Sequence, residues 1–148
     1  MYDNILIPTD GSEAADKAVE HGLELAEIHG STVHSLYVVD TSIYLRYPSV
    51  ADTVINELER EAKNVTENVR EMAEDTGVKV VTEVITGVPH EDILGYAEGN
   101  DMDLIVMGTH GRTGLRRAIM GSVTEWIVIS SDVPVLTVKM EGEEEVEV

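Results

Sequence analysis

Apolar residues follow two alternating spacings along this chain: short unbroken runs, and longer stretches in which they recur every three or four positions. The first run, Ile5-Leu6-Ile7 within segment 2–8, closes at Pro8 and the Asp10-Gly11 turn, which predicts a buried strand. Ser12 or Asp10 can cap the helix that follows. Its Ala15, Ala18, Val19, Gly22, Leu23 and Ala26 share one face, and Gly30 supplies a stop. Segment 32–39 predicts a second strand and 40–49 a polar-aromatic connection. Ala51, Val54, Ile55, Leu58, Ala62, Val65, Val69 and Met72 then form a long helical stripe ended by Gly77, with charges opposite. A third strand is predicted over 78–85, a turn at Gly87-Val88-Pro89, and a short helix over 91–98 built on Ile93, Leu94 and Ala97. A fourth strand over 103–107 leads into a Gly-rich loop over 108–120. A helix over 123–130 and a fifth strand, Val133 to Val138, complete the order.

Strands that are apolar throughout must be covered on both faces, and their alternation with helices requires parallel strands joined by right-handed crossovers. The predicted fold class is therefore α/β, a doubly wound, five-stranded parallel sheet with helices on both faces. Residues 1–140 are expected to make one domain. Segment 141–148 carries five Glu in eight residues and is expected to be a solvated, disordered tail without a function.

Composition removes several classes of chemistry. The chain has 148 residues and no Cys, so disulfides, thiolate zinc sites, iron–sulfur ligation and thiol nucleophiles are excluded. No apolar run approaches the roughly 20 residues of a spanning helix, and no basic region leads into a cleavable apolar stretch at the start. Membrane insertion is not expected, and a cytoplasmic address is. The net charge of −19, from 29 acidic and 10 basic residues, repels free nucleic acid. Such acidity, with four Lys and no Phe, suggests a protein adapted to a high-salt cytoplasm, where screening relieves self-repulsion. Stability should then rise with KCl in an unfolding series, and a maximum at low salt would exclude that adaptation.

Against this charge one segment stands apart. From Leu104 to Thr124 there is no Asp or Glu, while Arg112, Arg116 and Arg117 supply three of the ten basic residues within six positions. Four Gly fall within positions 108–121, just before a helix opening at Gly121-Ser122-Val123. Glycines let backbone approach a ligand closely, and the unpaired N–H groups and dipole of a helix start favour phosphate. Ligands of doubly wound sheets sit beyond the C-terminal ends of the strands, which is where this loop lies.

The spacing Gly108-x2-Gly111-x9-Gly121-Ser122 is the nucleotide motif of the universal stress protein family, which this chain closely resembles. The resemblance also rests on Ile5-Leu6-Ile7-Pro8-Thr9-Asp10-Gly11-Ser12, Leu36 to Asp40, Gly87-Val88-Pro89, Asp103 to Gly108 and Pro134 to Val138. It runs in register from residue 1 to about 139. Members with the complete motif look like ATP binders, and the resemblance implies the same here. The resemblance implies that the loop Gly108, His110, Gly111 and Arg112 and the turn Gly121-Ser122-Val123-Thr124 hold the phosphates and ribose. Pro8, Thr9 and Asp10 would line the other wall, Val38 and Val39 would meet the adenine, and Gly87 and Met107 would border it. Asp10 is the candidate for a ribose hydroxyl or a phosphate-held Mg²⁺, while local chemistry equally allows a simple Asx turn or helix cap. The family fold sets the first and fourth strands side by side, so Asp10 and Gly108 should face each other. Relatives pair through the fifth strand, which implies a homodimer through Val133 to Val138.

Other chemistries fit less well. The five His include no pair at i, i+4 and no HExxH, which argues against zinc. His110 alone lies in the loop, and an exposed loop residue is the expected reading beside a phosphate or stacking contact. A Walker-type Lys is absent from the loop, a phospho-receiver would need an Asp after the third strand where Thr86-Gly87 stands, and the Ser-Gly-Gly loop of an ATP-pyrophosphatase is missing. The only Trp, Trp126, is expected to pack on the sheet or a subunit contact, and Glu59 is well placed to pair with Lys63. The functional expectation is an ATP-binding module that regulates a stress response through an unknown downstream protein. Slow ATP hydrolysis and an ATP-independent dimeric interaction protein are the alternatives.

Overall fold

A computed structural model describes residues 1–110 and 120–140. The loop positions 111–119 and the acidic segment 141–148 lie outside the described residues. The elements are β1 (Asn4–Pro8), α1 (Glu13–His29), β2 (Thr32–Asp40), α2 (Ile43–Arg46), α3 (Ala51–Met72), β3 (Lys79–Gly87), α4 (Pro89–Gly99), β4 (Leu104–Gly108), α5 (Ser122–Ser130) and β5 (Val135–Val138). They form one five-stranded sheet in the order β3-β2-β1-β4-β5. Every strand pair is parallel.

Strand pleating decides which residues meet which helices. Ile5, Ile7, Val33, Leu104, Val106 and Val138 pack with α1 and the end of α3, while Leu6, Leu36, Ile105 and Met107 pack with α4 and α5. Both faces are thus covered, and the expected doubly wound α/β fold is what forms. Helix α1 lies close to the sheet because its inward face is mostly small residues. Its start is capped by the Ser12 hydroxyl, which accepts from Ala15 N–H at 3.1 Å. It ends at Gly30, whose φ of +67° closes the helix with a bond from its N–H to the Ala26 carbonyl.

Several boundaries differ from the periodicity. The connection over 40–49 winds one helical turn, α2, with Tyr44, Leu45 and Tyr47 exposed. The third strand runs on to Gly87, because β2 pairs with it along its full length up to Asp40↔Gly87. The fourth helix begins at Pro89, whose fixed φ suits a first helical position. The fifth strand is shorter than predicted, since pairing with β4 starts only at Ile105↔Val135.

Two side-chain expectations are corrected. Trp126 does not pack on the sheet: Val123, Thr124 and Ile127 take the inward side of α5, leaving Trp126 53% exposed. Its ring instead lies 4.9 Å from that of His90 on α4. Glu59 does not pair with Lys63 but accepts a bond from the Thr86 hydroxyl at 2.8 Å, tying α3 to β3.

Candidate functional site

The strand order reverses between β1 and β4, so the crossovers leaving these adjacent strands diverge to opposite faces and open a crevice at their C-terminal ends. A cavity of about 240 Å³ lies there. Its first wall continues β1. Thr9 N–H donates to the Leu36 carbonyl at 2.9 Å, which holds Pro8 and Thr9 beside β2 after regular pairing ends. The Asp10 carboxylate accepts from Ser12 N–H at 3.0 Å, an Asx turn that fixes it at the rim ahead of α1. Asp10 is part of an acidic corner. The carboxyl of Asp16 is held above its usual range, first by partial burial and then by Glu20, Asp10 and Glu13.

The opposite wall is Met107, Gly108, His110 and the first turn of α5, joined by a short hydrogen-bond ladder. Thr109 N–H donates to the Val138 carbonyl at 3.1 Å, and Gly121 N–H returns to the Thr109 carbonyl at 2.7 Å. The buried Thr124 hydroxyl donates to the Gly108 carbonyl at 2.8 Å. These bonds bring Gly108 and Gly121 together. The first bond inside α5 runs from Glu125 N–H to the Gly121 carbonyl, and the N-cap, Gly121, has no side chain to cap the helix. The N–H groups of Ser122, Val123 and Thr124 therefore have no acceptor within the helix, at the positive end of its dipole.

The third wall is apolar: Leu36 and Val38 from β2 face Pro89 and Ile93 from α4. Backbone polarity enters here too. Leu36 turns its carbonyl toward β1, and alternate residues of a strand point their peptide groups the same way, so Val38 directs its N–H and C=O past the end of β1 toward the cavity. The cavity thus combines an apolar slot with a donor–acceptor pair at one end and a cluster of helix-start donors at the other.

Most candidate residues meet in this cavity. Pro8, Thr9, Asp10, Val38, Met107, Gly108, His110, Gly121, Ser122, Val123 and Thr124 all line it. His110 is 4% exposed, not an exposed loop residue, with its Nδ1 3.2 Å from the Thr109 hydroxyl. Val39 is not in the wall. The pleat turns it to the opposite face, where it packs with Tyr37, Ile55 and Ala62. Gly87 does not line the cavity either; its carbonyl accepts from Thr41 N–H at 2.9 Å at the end of β2. Gly111 and Arg112, with Arg116 and Arg117, lie outside the described residues.

Four lining residues were not among the candidates: Ala15, Leu36, Pro89 and Ile93. Leu36 was accessible to reasoning, since it sits two positions before Val38 and so shares its face. Pro89 and Ile93 could have been found from the topology, which puts the start of the helix after β3 at the C-terminal edge of the sheet. Among the described residues no cluster of three or more His, Asp or Glu could hold a metal ion by itself. No helix among them is long and apolar enough to cross a membrane.

The sequence is 41% identical to the universal stress protein MJ0531 of Methanocaldococcus jannaschii over 94% of this chain and 83% of that protein. It is 37% identical to MJ0577 of the same organism, over 94% of this chain and 96% of the relative. The solved structure of MJ0577 superposes with a TM-score of 0.85 at 39% identity, covering 95% of this chain and 98% of that one. That of the universal stress protein UspA from Lactobacillus plantarum also gives 0.85, at 30% identity over 93% and 97%. Residues 1–139 match the universal stress protein family as a whole, and the chain belongs to that family.

Proposed function

We propose that this protein binds ATP, or another adenine nucleotide, in the cavity between β1 and β4 and serves as a nucleotide-dependent regulator of a stress response. The observation that carries this reading is the pairing, in one cavity, of an apolar slot with three helix N–H groups that lack an acceptor within α5. Leu36, Val38, Pro89 and Ile93 would sandwich the base. The Val38 N–H and C=O match the acceptor N1 and donor N6 of adenine. Gly108, Gly121 and the first turn of α5 would take the phosphates. Two structures of the same fold offer a parallel: a universal stress protein in complex with cAMP, at 19% identity, and one from Archaeoglobus fulgidus in complex with dAMP, at 20%.

The acidic corner at Asp10 supports a role for Mg²⁺. Asp10, Glu13 and Asp16 would repel a bare triphosphate, whereas a cation bridging Asp10 to the phosphates turns that repulsion into attraction. The protein contributes too few ligands alone, so the ion would arrive with the nucleotide. A homodimer through β5 belongs to the same reading, because this short strand is one edge of the sheet and leaves Leu136 exposed. Ligand binding would act by favouring one arrangement of the cavity walls, and a partner protein would read the difference.

Calorimetric titration of nucleotide-stripped protein in a high-KCl buffer tests the reading. ATP should saturate at one per chain, more tightly with Mg²⁺ than without, and Asp10→Asn should remove most of the Mg²⁺ gain. Absence of saturable binding under both conditions, confirmed by a direct ligand assay, would overturn it. Sedimentation of the same sample should give a dimer at micromolar concentration, and a monomer would remove the β5 interface.

A further inference from the structure

The turn between β3 and α4 is held from two sides. On one side Gly87 is tied to the end of β2, its carbonyl accepting from Thr41 N–H at 2.9 Å and from the Thr41 hydroxyl at 3.3 Å. On the other, the Asp92 carboxylate reaches back along α4 and accepts from Val88 N–H at 2.7 Å. Val88 is the N-cap of α4 and has no side chain able to cap it, so the carboxylate one turn later holds the helix start instead. The arrangement depends on a missing atom. A Cβ on Gly87 would stand 1.9 Å from Asp92 Oδ2 and 2.9 Å from its carboxyl carbon. Glycine at 87 therefore makes room for the carboxylate rather than contacting the cavity.

The bond fixes where α4 starts, and Pro89 and Ile93, on either side of Asp92 in sequence, form the α4 wall of the cavity. Leu36 and Val38 on β2 face them. Through Thr41 the turn is anchored to β2, and through Asp92 to α4, so the two bonds together set the width of the apolar slot. We infer that Asp92 is a positioning residue for the base: through Val88 N–H it holds Pro89 and Ile93 at the spacing that presses a purine against β2 and into register with the Val38 peptide. This inference rests on the adenine-nucleotide reading of the cavity. Asp92 touches no phosphate donor, since these lie across the cavity on α5, so its effect should fall on base recognition and spare the phosphate end.

Nucleotide selectivity provides the test, because guanine reverses the donor and acceptor that adenine offers to the Val38 peptide while carrying the same phosphates. Wild-type protein should prefer ATP to GTP. Asp92→Ala should weaken ATP binding about tenfold and GTP binding about twofold at most, shrinking that preference. Asp92→Asn keeps an acceptor for Val88 N–H and should retain most of the selectivity. Gly87→Ala should reproduce the Asp92→Ala phenotype by displacing the carboxylate. Because both changes break the same bond, the double variant should be no worse than about tenfold, not the roughly hundredfold of independent effects.

Equal losses of ATP and GTP affinity in Asp92→Ala would mean that the residue merely supports the fold, and additive effects in the cycle would mean that Gly87 and Asp92 act separately. Either result overturns the inference, as does a wild type that binds ATP and GTP equally. A wild type that binds no nucleotide removes the underlying reading first, so the two failures remain distinguishable.

Discussion

Gly108→Ala is expected to destabilise the protein by about 1–3 kcal/mol, because it overpacks a contact between two backbones. A Cβ at Gly108 would lie 2.9 Å from both the carbonyl carbon and oxygen of Ala14 and 3.1 Å from its Cβ. Those atoms belong to the first turn of α1 and cannot rotate away as a side-chain tip could. Relief requires β4 and α1 to part, which also strains the 2.8 Å bond from the Thr124 hydroxyl to the Gly108 carbonyl. At this chain length the melting midpoint should fall by roughly 3–10 °C. Nucleotide affinity should fall too, since the end of β4 and the start of α1 are both cavity walls. Gly95→Ala is the matched control: Gly95 lies inside α4 with nothing within 4 Å of its added Cβ. There the same chemical change should stabilise by about 0.5–1 kcal/mol through helix propensity. Urea unfolding of the pair reads both signs, and a Gly108→Ala midpoint equal to wild type would mean that the close approach of α1 to β4 is not what seats the helix.

The features that were legible in sequence are those governed by short-range rules. Ile5-Leu6-Ile7 and the 103–107 run announced buried strands because a parallel sheet covered on both sides leaves no polar face. The stripe from Ala51 to Met72 announced α3 because eight apolar positions at helical spacing leave one solution. The cavity was legible at its α5 end for a related reason: glycines, absent carboxylates and a helix start coincide within one segment. The β2 end was harder. Val38 and Val39 are chemically alike, and only the pleat, once strand direction and neighbours are known, separates the one facing the cavity from the one packed under α3. Gly87 was expected to border the ligand, yet it lies outside the cavity wall, and its role depends on a side chain five residues ahead that folds back over it.

Burial of loop and helix residues was equally hidden, since it depends on contacts far apart in sequence. His110 follows a strand in a Gly-rich stretch, where exposure is the default, but the bond from Thr109 N–H to Val138 and the return of Gly121 enclose it. Trp126 shows the converse. Large aromatics are usually buried, but the inward side of this nine-residue helix is already taken by Val123, Thr124 and Ile127. Its exposure beside His90 shows where local statistics yield to the geometry of one helix on one sheet.

Gly121→Val is expected to abolish nucleotide binding while leaving the fold intact. Gly121 is the N-cap of α5, with φ −64° and ψ 155°. Those angles are extended backbone that a β-branched residue adopts without strain, so valine should be accepted. The backbone bonds there are also kept, because Gly121 N–H to Thr109 and Gly121 carbonyl to Glu125 involve no side chain. What changes is the cavity. Three carbons are added to a wall residue that adjoins the Ser122 and Val123 N–H groups, which lack an acceptor within α5, and a phosphate can no longer reach hydrogen-bond distance of them. Losing those donors while the ligand stays partly desolvated should weaken ATP by at least about a hundredfold, equivalent to about 2.7 kcal/mol. The unfolding midpoint without nucleotide should stay within a few degrees of wild type, and the gain in midpoint that saturating ATP gives the wild type should vanish. A valine variant that still binds ATP near wild-type affinity would place the phosphates elsewhere than on the α5 start. A variant that loses binding only because it unfolds would instead show Gly121 to be needed for the fold, contrary to its unstrained backbone.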